Sequence, residues 1–326
     1  MAQFRSLQIS DVREILIQFG FAPDEYQGHQ PIAVGTVNTN LRVQTARGSR
    51  FLRINEGKTL EDVVREAAIV EFVSEQGVPT PAPAMSMRGE PFARWAGQFA
   101  SLFPWRSGRT LERSEVTSAH AAQAGAALAR LHRVGASFPD HRAGRYEPDE
   151  IDRRLTRIEP AAGVDAAVAN ATAILRPELA RLAGERRADV PVGLIHGDLF
   201  LDNVLYDGPQ LAALLDFEQA SWGRWVYDVA VTLLAFTFGR DDFRPELVRS
   251  LLDAYGVERP CTDAERAAFG AELRFAACRF AITRITDVYL KRTGGAAPGK
   301  DFRRYLLRLA RVQEHLAVGD GLLDLA

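Results

Sequence analysis

IHGDLFLDNVLY at residues 195–206 and LLDFE at residues 214–218 are the two segments that decide the fold. An apolar run at residues 192–195 leads into the first segment and predicts a short buried strand. Between the two segments stands Asp207-Gly208, a strong hairpin-turn signal with apolar residues on either side. The region is therefore expected to form a strand, a loop and a β-hairpin.

Three polar side chains fall at the ends of these predicted strands: Asp198, Asn203 and Asp216. Phosphoryl transfer needs a carboxylate to accept the proton of the attacking hydroxyl, and oxygen ligands for the magnesium that neutralises phosphate charge. The spacing Asp198-x-x-x-x-Asn203 is that of the base and the metal-binding asparagine in a kinase catalytic loop. We therefore expect Asp198 to be the base, and Asn203 and Asp216 to bind Mg²⁺.

The pattern HGDLxxxN followed by DFE resembles the aminoglycoside phosphotransferase and choline kinase-like family. Within that family the chain is most similar to the homoserine kinase branch. The landmarks are VNTN at 37–40, HGDLFxDNVL at 196–205, YDVA at 227–230 and RFxITR at 279–284.

The resemblance implies an α+β, two-lobed, protein-kinase-like fold. A small antiparallel-sheet lobe at residues 1–103 would bind ATP, and a mainly helical lobe at 104–326 would hold the catalytic and acceptor sites, with a hinge at about 101–109. The implied reaction uses ATP and Mg²⁺ to convert L-homoserine to O-phospho-L-homoserine in threonine biosynthesis.

Composition limits the other possibilities. The net charge of −2 gives no reason to expect a nucleic acid or an anionic membrane as partner. The two cysteines, Cys261 and Cys278, suggest neither a disulfide framework nor a zinc site. The N-terminus lacks a signal-peptide pattern, and the longest apolar run, 229–238, is too short to span a bilayer. We therefore expect a cytoplasmic protein.

Residues 31–47 predict a hairpin whose first strand is 32–34 and whose turn is small and polar. In a kinase-like fold this turn lies over the triphosphate, so Gly35, Asn38 and Asn40 are expected to contact the nucleotide. The turn has a single glycine and no Gly-x-Gly-x-x-Gly motif, and a plain surface hairpin is the alternative.

Arg53 stands on a predicted strand where kinase-like folds have the lysine that binds the α- and β-phosphates. The following helix starts at a capping-box-like Thr59 and places Glu66 on its apolar face, which is costly unless the carboxylate meets a cation. We expect Glu66 to pair with Arg53, and Arg53 to bind phosphate, with a solvated arginine and glutamate as the alternative.

The remaining nucleotide contact is assigned to Ser101–Phe103, at the end of a predicted strand. The resemblance implies that the main chain of Ser101 and Phe103 binds the adenine edge.

Two further residues are expected to have structural roles. Asp228 should bond the main chain of the catalytic loop, and His132 should be a packed or capping histidine.

Homoserine is a zwitterion, so its pocket needs a cation for the carboxylate and an anion for the ammonium. Arg284, with Asp287 or Asp202, is the expected set. Arg284 and Asp287 are three apart on a predicted helix, and an intrahelical salt bridge between them is the alternative.

Other functions stay open. Trp222, Trp225 and Tyr227 allow an aromatic cage and hence a choline- or ethanolamine-type kinase. An aminoglycoside-type kinase is a second alternative, and a catalytically inactive nucleotide-binding regulator is a third of another class. A P-loop kinase is excluded because no Gly-x-x-x-x-Gly-Lys-Ser/Thr motif occurs. The sequence does not indicate the oligomeric state.

Overall fold

The computed structural model describes residues 6–32, 38–291 and 300–325. The chain divides into two compact units. One holds the residues up to Gly108 together with Ala212–Glu218, and the other holds Arg109–Leu211 and the residues from Gln219 onward. The sequence analysis had placed residues 212–218 with the second part of the chain. Its assignment of nucleotide binding to residues 1–103 and of acceptor binding to residues 104–326 stays a prediction.

The first unit contains an antiparallel five-stranded sheet with the order β1-β2-β3-β5-β4. Its strands are Tyr26–Pro31 (β1), Thr39–Thr45 (β2), Gly48–Ile54 (β3), Ala93–Trp95 (β4) and Gln98–Pro104 (β5). Two helices accompany them, Ile9–Gln18 (α1) and Leu60–Glu75 (α2).

One face of this sheet is apolar because side chains alternate between faces along each strand. Leu41, Leu52 and Leu102 lie opposite one another on β2, β3 and β5. They form a buried core with Val12 and Ile15 of α1. The opposite face, called the polar face below, carries polar side chains together with the rings of Phe51 and Phe103.

The first strand differs from its prediction. β1 covers Tyr26–Pro31, whereas the predicted strand was 32–34, of which the structure describes only Ile32. Gly35, predicted to contact the nucleotide, lies outside the described residues.

The second unit is mainly helical. Its helices are Ser118–Gly135 (α3), Pro148–Ala162 (α4), Ala166–Glu185 (α5), Trp225–Phe236 (α6), Pro245–Glu258 (α7), Asp263–Arg284 (α8) and Arg303–Val318 (α9). Every residue of α6 from Val226 to Phe236 is buried, which explains its nearly continuous apolar sequence. A π-helical turn, Ile285–Tyr289, follows α8.

Four short strands occur in the part of the chain from residue 192 to residue 224: Val192–Ile195 (β6), Val204–Asp207 (β7), Gln210–Leu214 (β8) and Ser221–Arg224 (β9). β7 and β8 form the predicted hairpin. β6 pairs antiparallel with β9, with Gly193 opposite Gly223. The sequence analysis did not predict this pairing.

The α+β fold class, a small antiparallel sheet followed by a mainly helical region, is confirmed. Within the described ranges, no helix combines the length and the apolar character that crossing a membrane requires.

Candidate active site

The segment that leads to Asp198, the predicted base, is anchored by Asp228, near the start of α6. Its carboxylate is fully buried and accepts hydrogen bonds from the main-chain N–H groups of His196, at 2.7 Å, and Gly197, at 2.8 Å. These bonds hold the loop directly before Asp198. The prediction that Asp228 bonds the main chain of this loop is confirmed.

His132, on α3, is the third partner of Asp228. Its Nε2 lies 3.0 Å from Asp228 Oδ2, and its Nδ1 lies 2.7 Å from the hydroxyl of Tyr255. Burial lowers the pKa of His132, and the nearby Asp228 carboxylate opposes this only in part. The neutral ring therefore donates from Nε2 to Asp228 and accepts at Nδ1 from Tyr255. As predicted, His132 is a packed histidine.

This buried neutral histidine predicts a pH dependence of stability. The folded pKa of His132 lies below its unfolded value of about 6.5, so below that pH the unfolded chain binds more protons. The contribution of the neutral His132 ring to the free energy of unfolding is fully present above pH 6.5. It is lost as the pH falls toward the folded pKa, by at most about 1.4 kcal/mol per pH unit. We expect His132→Gln to reduce the slope of the unfolding free energy between pH 7 and pH 5.

Denaturant titrations at several pH values measure this slope. His120→Gln, in the first turn of the same helix, is the matched control for the loss of an imidazole. An unchanged slope in His132→Gln would contradict a buried neutral His132.

Gly197 is required where the segment turns toward Asp198. Its φ is +74°, a conformation that residues with a side chain rarely adopt, and an added Cβ would lie 3.0 Å from the carbonyl oxygen of Gln219. For steric reasons, the middle position of the His-Gly-Asp sequence therefore requires glycine.

Asp198 follows with a side chain that is 34% exposed. The amide of Asn203 donates from Nδ2 to the Asp198 carbonyl at 2.8 Å, which orients Asn203 within the loop. Arg279 on α8 approaches from the other side, with Nη1 3.3 Å from Asp198 Oδ1. The sequence analysis assigned no role to Arg279.

Four of the predicted nucleotide residues lie on the polar face of the sheet in the first unit. Asn40, Arg53 and Ser101 lie directly opposite one another on β2, β3 and β5. Phe103 follows two residues after Ser101 and therefore shares that face, with its ring centre 5.4 Å from the Arg53 guanidinium.

Arg53 and Glu66 are paired, with Arg53 Nη2 2.9 Å from Glu66 Oε2 and both side chains about one-tenth exposed. Burial lowers the pKa of Arg53, but Glu66, Asp216 and Glu218 raise it more, so the net pKa lies above the usual value. Glu218 also pairs with Lys58 at 2.8 Å. The sequence analysis missed Lys58, which lies in a loop without a motif.

Asp216 has an unusual backbone conformation, with φ at +61°. Aspartate and asparagine tolerate this left-handed region better than other residues with a side chain. Such conformations concentrate at functional sites, where the surrounding structure maintains the strain.

The other nucleotide candidates have partners within the first unit. Asn38 Oδ1 accepts the N–H of Glu56 at 3.2 Å, and the hydroxyl of Ser101 accepts from Asn55 Nδ2 at 2.9 Å. The carbonyl of Leu102, within the expected adenine-binding strand, accepts from the N–H of Ala84 at 2.7 Å. The predicted adenine contact at Ser101 and Phe103 stays a prediction.

The residues predicted to bind the acceptor are Asp287, Arg284 and Asp202. Asp287 accepts hydrogen bonds from Arg154 at 2.9 and 3.0 Å. Arg284 donates to the carbonyl of Asp301 at 3.3 Å. Asp202 is exposed and forms no hydrogen bond within the described residues. Their acceptor-binding roles stay predictions.

A pocket of about 200 Å³ lies in the second unit beside the catalytic segment. Gly197, Tyr146, Tyr227 and Trp222 contribute to its wall.

The aromatic residues considered for a cage have other partners. Trp225 stacks on His132, with ring centres 5.9 Å apart, and the guanidinium of Arg259 lies 4.3 Å from its ring. Trp222 stacks on His141 at 3.8 Å.

Comparison with known proteins identifies the family. The profile of the phosphotransferase enzyme family (APH) matches residues 28–269, nearly three quarters of the chain. The chain belongs to the APH phosphotransferase family. The homoserine kinase of Bradyrhizobium sp. (strain BTAi1) is 32% identical over 327 positions, covering 99% of this chain and 98% of that protein. The homoserine kinase of Nitrobacter hamburgensis is 31% identical and covers 95% of this chain and 94% of its own.

A solved spectinomycin phosphotransferase in complex with ADP and spectinomycin superposes with a TM-score of 0.70. The match covers 93% of this chain and 94% of that one at 14% identity, so it bears on the fold alone. The predicted family and the predicted fold class of this phosphotransferase are confirmed.

Proposed function

We propose that this APH phosphotransferase transfers the γ-phosphoryl group of ATP to the side-chain hydroxyl of L-homoserine, giving O-phospho-L-homoserine and ADP. The observation that carries the reaction type is Asp198, a partly exposed carboxylate on a loop anchored by the buried Asp228. The choice of acceptor is supported by the nearly full-length similarity to proteins named homoserine kinase. We expect the enzyme to act in the cytoplasm.

Asp198 acts as the base. As the hydroxyl oxygen of the acceptor bonds to the γ-phosphorus, its proton passes to an Asp198 carboxylate oxygen. The bond from the γ-phosphorus to the bridging oxygen breaks, and ADP leaves with the electron pair. The carboxylate also orients the hydroxyl, so that positioning and electrostatics supply most of the rate.

The chain offers ligands that suit Mg²⁺. Asn203 donates through its amide nitrogen to the loop, which leaves its amide oxygen as the group of the type that Mg²⁺ prefers, and Asp216 adds a carboxylate. The described residues contain no cluster of three or more His, Cys, Asp or Glu side chains suited to a metal. The ion, when bound, neutralises charge on the phosphates.

Nucleotide binding is proposed for the polar face of the small sheet. The solved relative in this fold was obtained with ADP. Arg53, held in place by Glu66, would bind phosphate oxygens, while Gly35, Asn38, Asn40 and the main chain of Ser101 and Phe103 complete the proposed set.

Arg53→Ala is expected to raise the KM for ATP about 10- to 150-fold and to change the KM for the acceptor little, because a charge-assisted hydrogen bond contributes about 1.5–3 kcal/mol. Arg53→Lys should recover part of the loss, since lysine binds phosphate as a point charge. Steady-state kinetics with each substrate varied in turn measure both constants.

Arg50→Ala on the same strand is the matched control, because Arg50 donates to the carbonyl of Ser49 and lies over Phe21. An unchanged KM for ATP in Arg53→Ala, together with a lower free energy of unfolding, would instead assign Arg53 and Glu66 to stability alone.

The acceptor is tested by measuring kcat/KM for homoserine, choline, ethanolamine, methylthioribose and an aminoglycoside through coupled ADP release. We expect homoserine to have the highest value. A higher value for choline or ethanolamine would replace the proposed acceptor by an amino alcohol. The contacts of Trp225 with His132 and Arg259 argue against the aromatic cage that choline prefers.

A further inference from the structure

Arg279 is a buried cation beside the proposed base. It is 3% exposed, and its Nη1 donates to Asp198 Oδ1 at 3.3 Å. Within the described residues this is its one hydrogen bond, and its buried Nε has no acceptor. A guanidinium carries five N–H donors, so most of the hydrogen-bonding capacity of Arg279 is unused in the described part of the chain.

Aromatic rings hold this guanidinium in place. It lies 4.0 Å from the ring centre of Tyr146 and 3.7 Å from that of Phe280. Burial lowers the pKa of Arg279, but Tyr227 and Asp198 raise it more, so the group stays charged. Tyr146 and Tyr227 also line the pocket beside Gly197.

A buried, charged group with unused donors is costly unless a ligand satisfies it. The planar guanidinium matches a carboxylate, which accepts two parallel hydrogen bonds from it. Rings such as Tyr146 and Phe280 stabilise the cation but accept no ordinary N–H hydrogen bond in the guanidinium plane. The ligand that fits this position is therefore an anion with two oxygens in one plane.

We propose that Arg279 binds the carboxylate of the amino-acid acceptor, next to the Asp198 carboxylate that takes the hydroxyl proton. This assignment rests on the proposed function, because it needs an acceptor with a carboxylate. It also replaces Arg284 as the first choice for this role. Arg284 donates to the Asp301 carbonyl and lies 4.5 Å from the ring of Tyr305, whereas Arg279 contacts Asp198 directly.

The test compares L-homoserine with L-homoserinamide, which keeps the amine and the hydroxyl but lacks the carboxylate charge. We expect the wild-type enzyme to prefer homoserine in kcat/KM by about 10- to 150-fold, the loss typical of a charge-assisted hydrogen bond. In Arg279→Gln the preference should fall to about threefold or less, through a loss on homoserine rather than a gain on the amide.

If Arg279→Gln does not fold, Arg279→Lys is the variant that tests the proposal. It keeps the charge but not the planar pair of donors, so it should retain part of the preference for homoserine over the amide. Arg240→Gln, at a side chain that is 94% exposed, is the matched control and should keep the full preference.

The outcomes separate this inference from the proposed function. If wild type phosphorylates neither compound, the proposed function fails. If wild type phosphorylates both equally well, or if the Arg279 variants lose both activities by the same factor, Arg279 only positions Asp198 and the inference is wrong. Loss of the preference in Arg284→Gln, with the preference intact in Arg279→Lys, would return the role to Arg284.

Discussion

Asp198→Asn is expected to lower kcat by about 10²- to 10⁴-fold and to leave the Kd for ATP nearly unchanged. The amide has no basic oxygen to accept the proton of the acceptor hydroxyl. Its carbonyl oxygen still accepts the hydrogen bond that Arg279 donates to Oδ1, so the buried guanidinium keeps its partner. The loss should therefore appear in the chemical step and not in folding.

Single-turnover kinetics and a binding titration measure the two quantities separately. Asp207→Asn makes the same chemical change at an exposed residue of the neighbouring hairpin, and it should leave kcat within about twofold of wild type. Turnover near the wild-type rate in Asp198→Asn would remove Asp198 from the role of base.

Asp216→Asn should produce the second large effect, a rise of about 100-fold or more in the Kd for ATP measured with magnesium. The substitution removes a charged metal ligand and keeps the shape of the side chain. Asparagine tolerates the φ of +61° at this position, so the fold should be retained. Asp216→Ala would add about 1–2 kcal/mol of backbone strain, which makes it the less informative variant.

Titrations of wild type and Asp216→Asn without magnesium are the control, and they should give similar Kd values. If Asp216→Asn bound ATP in magnesium as tightly as wild type, Asp216 would not be a metal ligand. Asn203→Ala should weaken binding in magnesium less, because it removes a neutral ligand.

The sequence predicts those parts of the fold whose signals are local. The Asp207-Gly208 turn and the apolar runs around it predicted the β7–β8 hairpin, and the capping-box pattern at Thr59 predicted the start of α2. Glu66 on an apolar helix face indicated a buried cation, and the structure places Arg53 there at 2.9 Å.

Local sequence signals do not predict contacts between segments that are far apart in the chain. Arg279 and Asp198 are 81 residues apart, and the approach of α8 to the catalytic loop depends on tertiary packing. Lys58 lies in a loop without periodicity, and its pairing with Glu218 has no sequence signature. The pairing of β6 with β9 was missed because Ser221–Arg224 is too short to show alternation.

The central claim, that the γ-phosphoryl group of ATP is transferred to the hydroxyl of homoserine, is tested most directly by identifying the product. Phosphorus NMR of a reaction with ATP, magnesium and L-homoserine should show a new phosphomonoester coupled to the side-chain CH₂ protons of homoserine, in an amount equal to the ADP formed. ADP formed together with free inorganic phosphate, and no phosphorylated homoserine, would contradict the account.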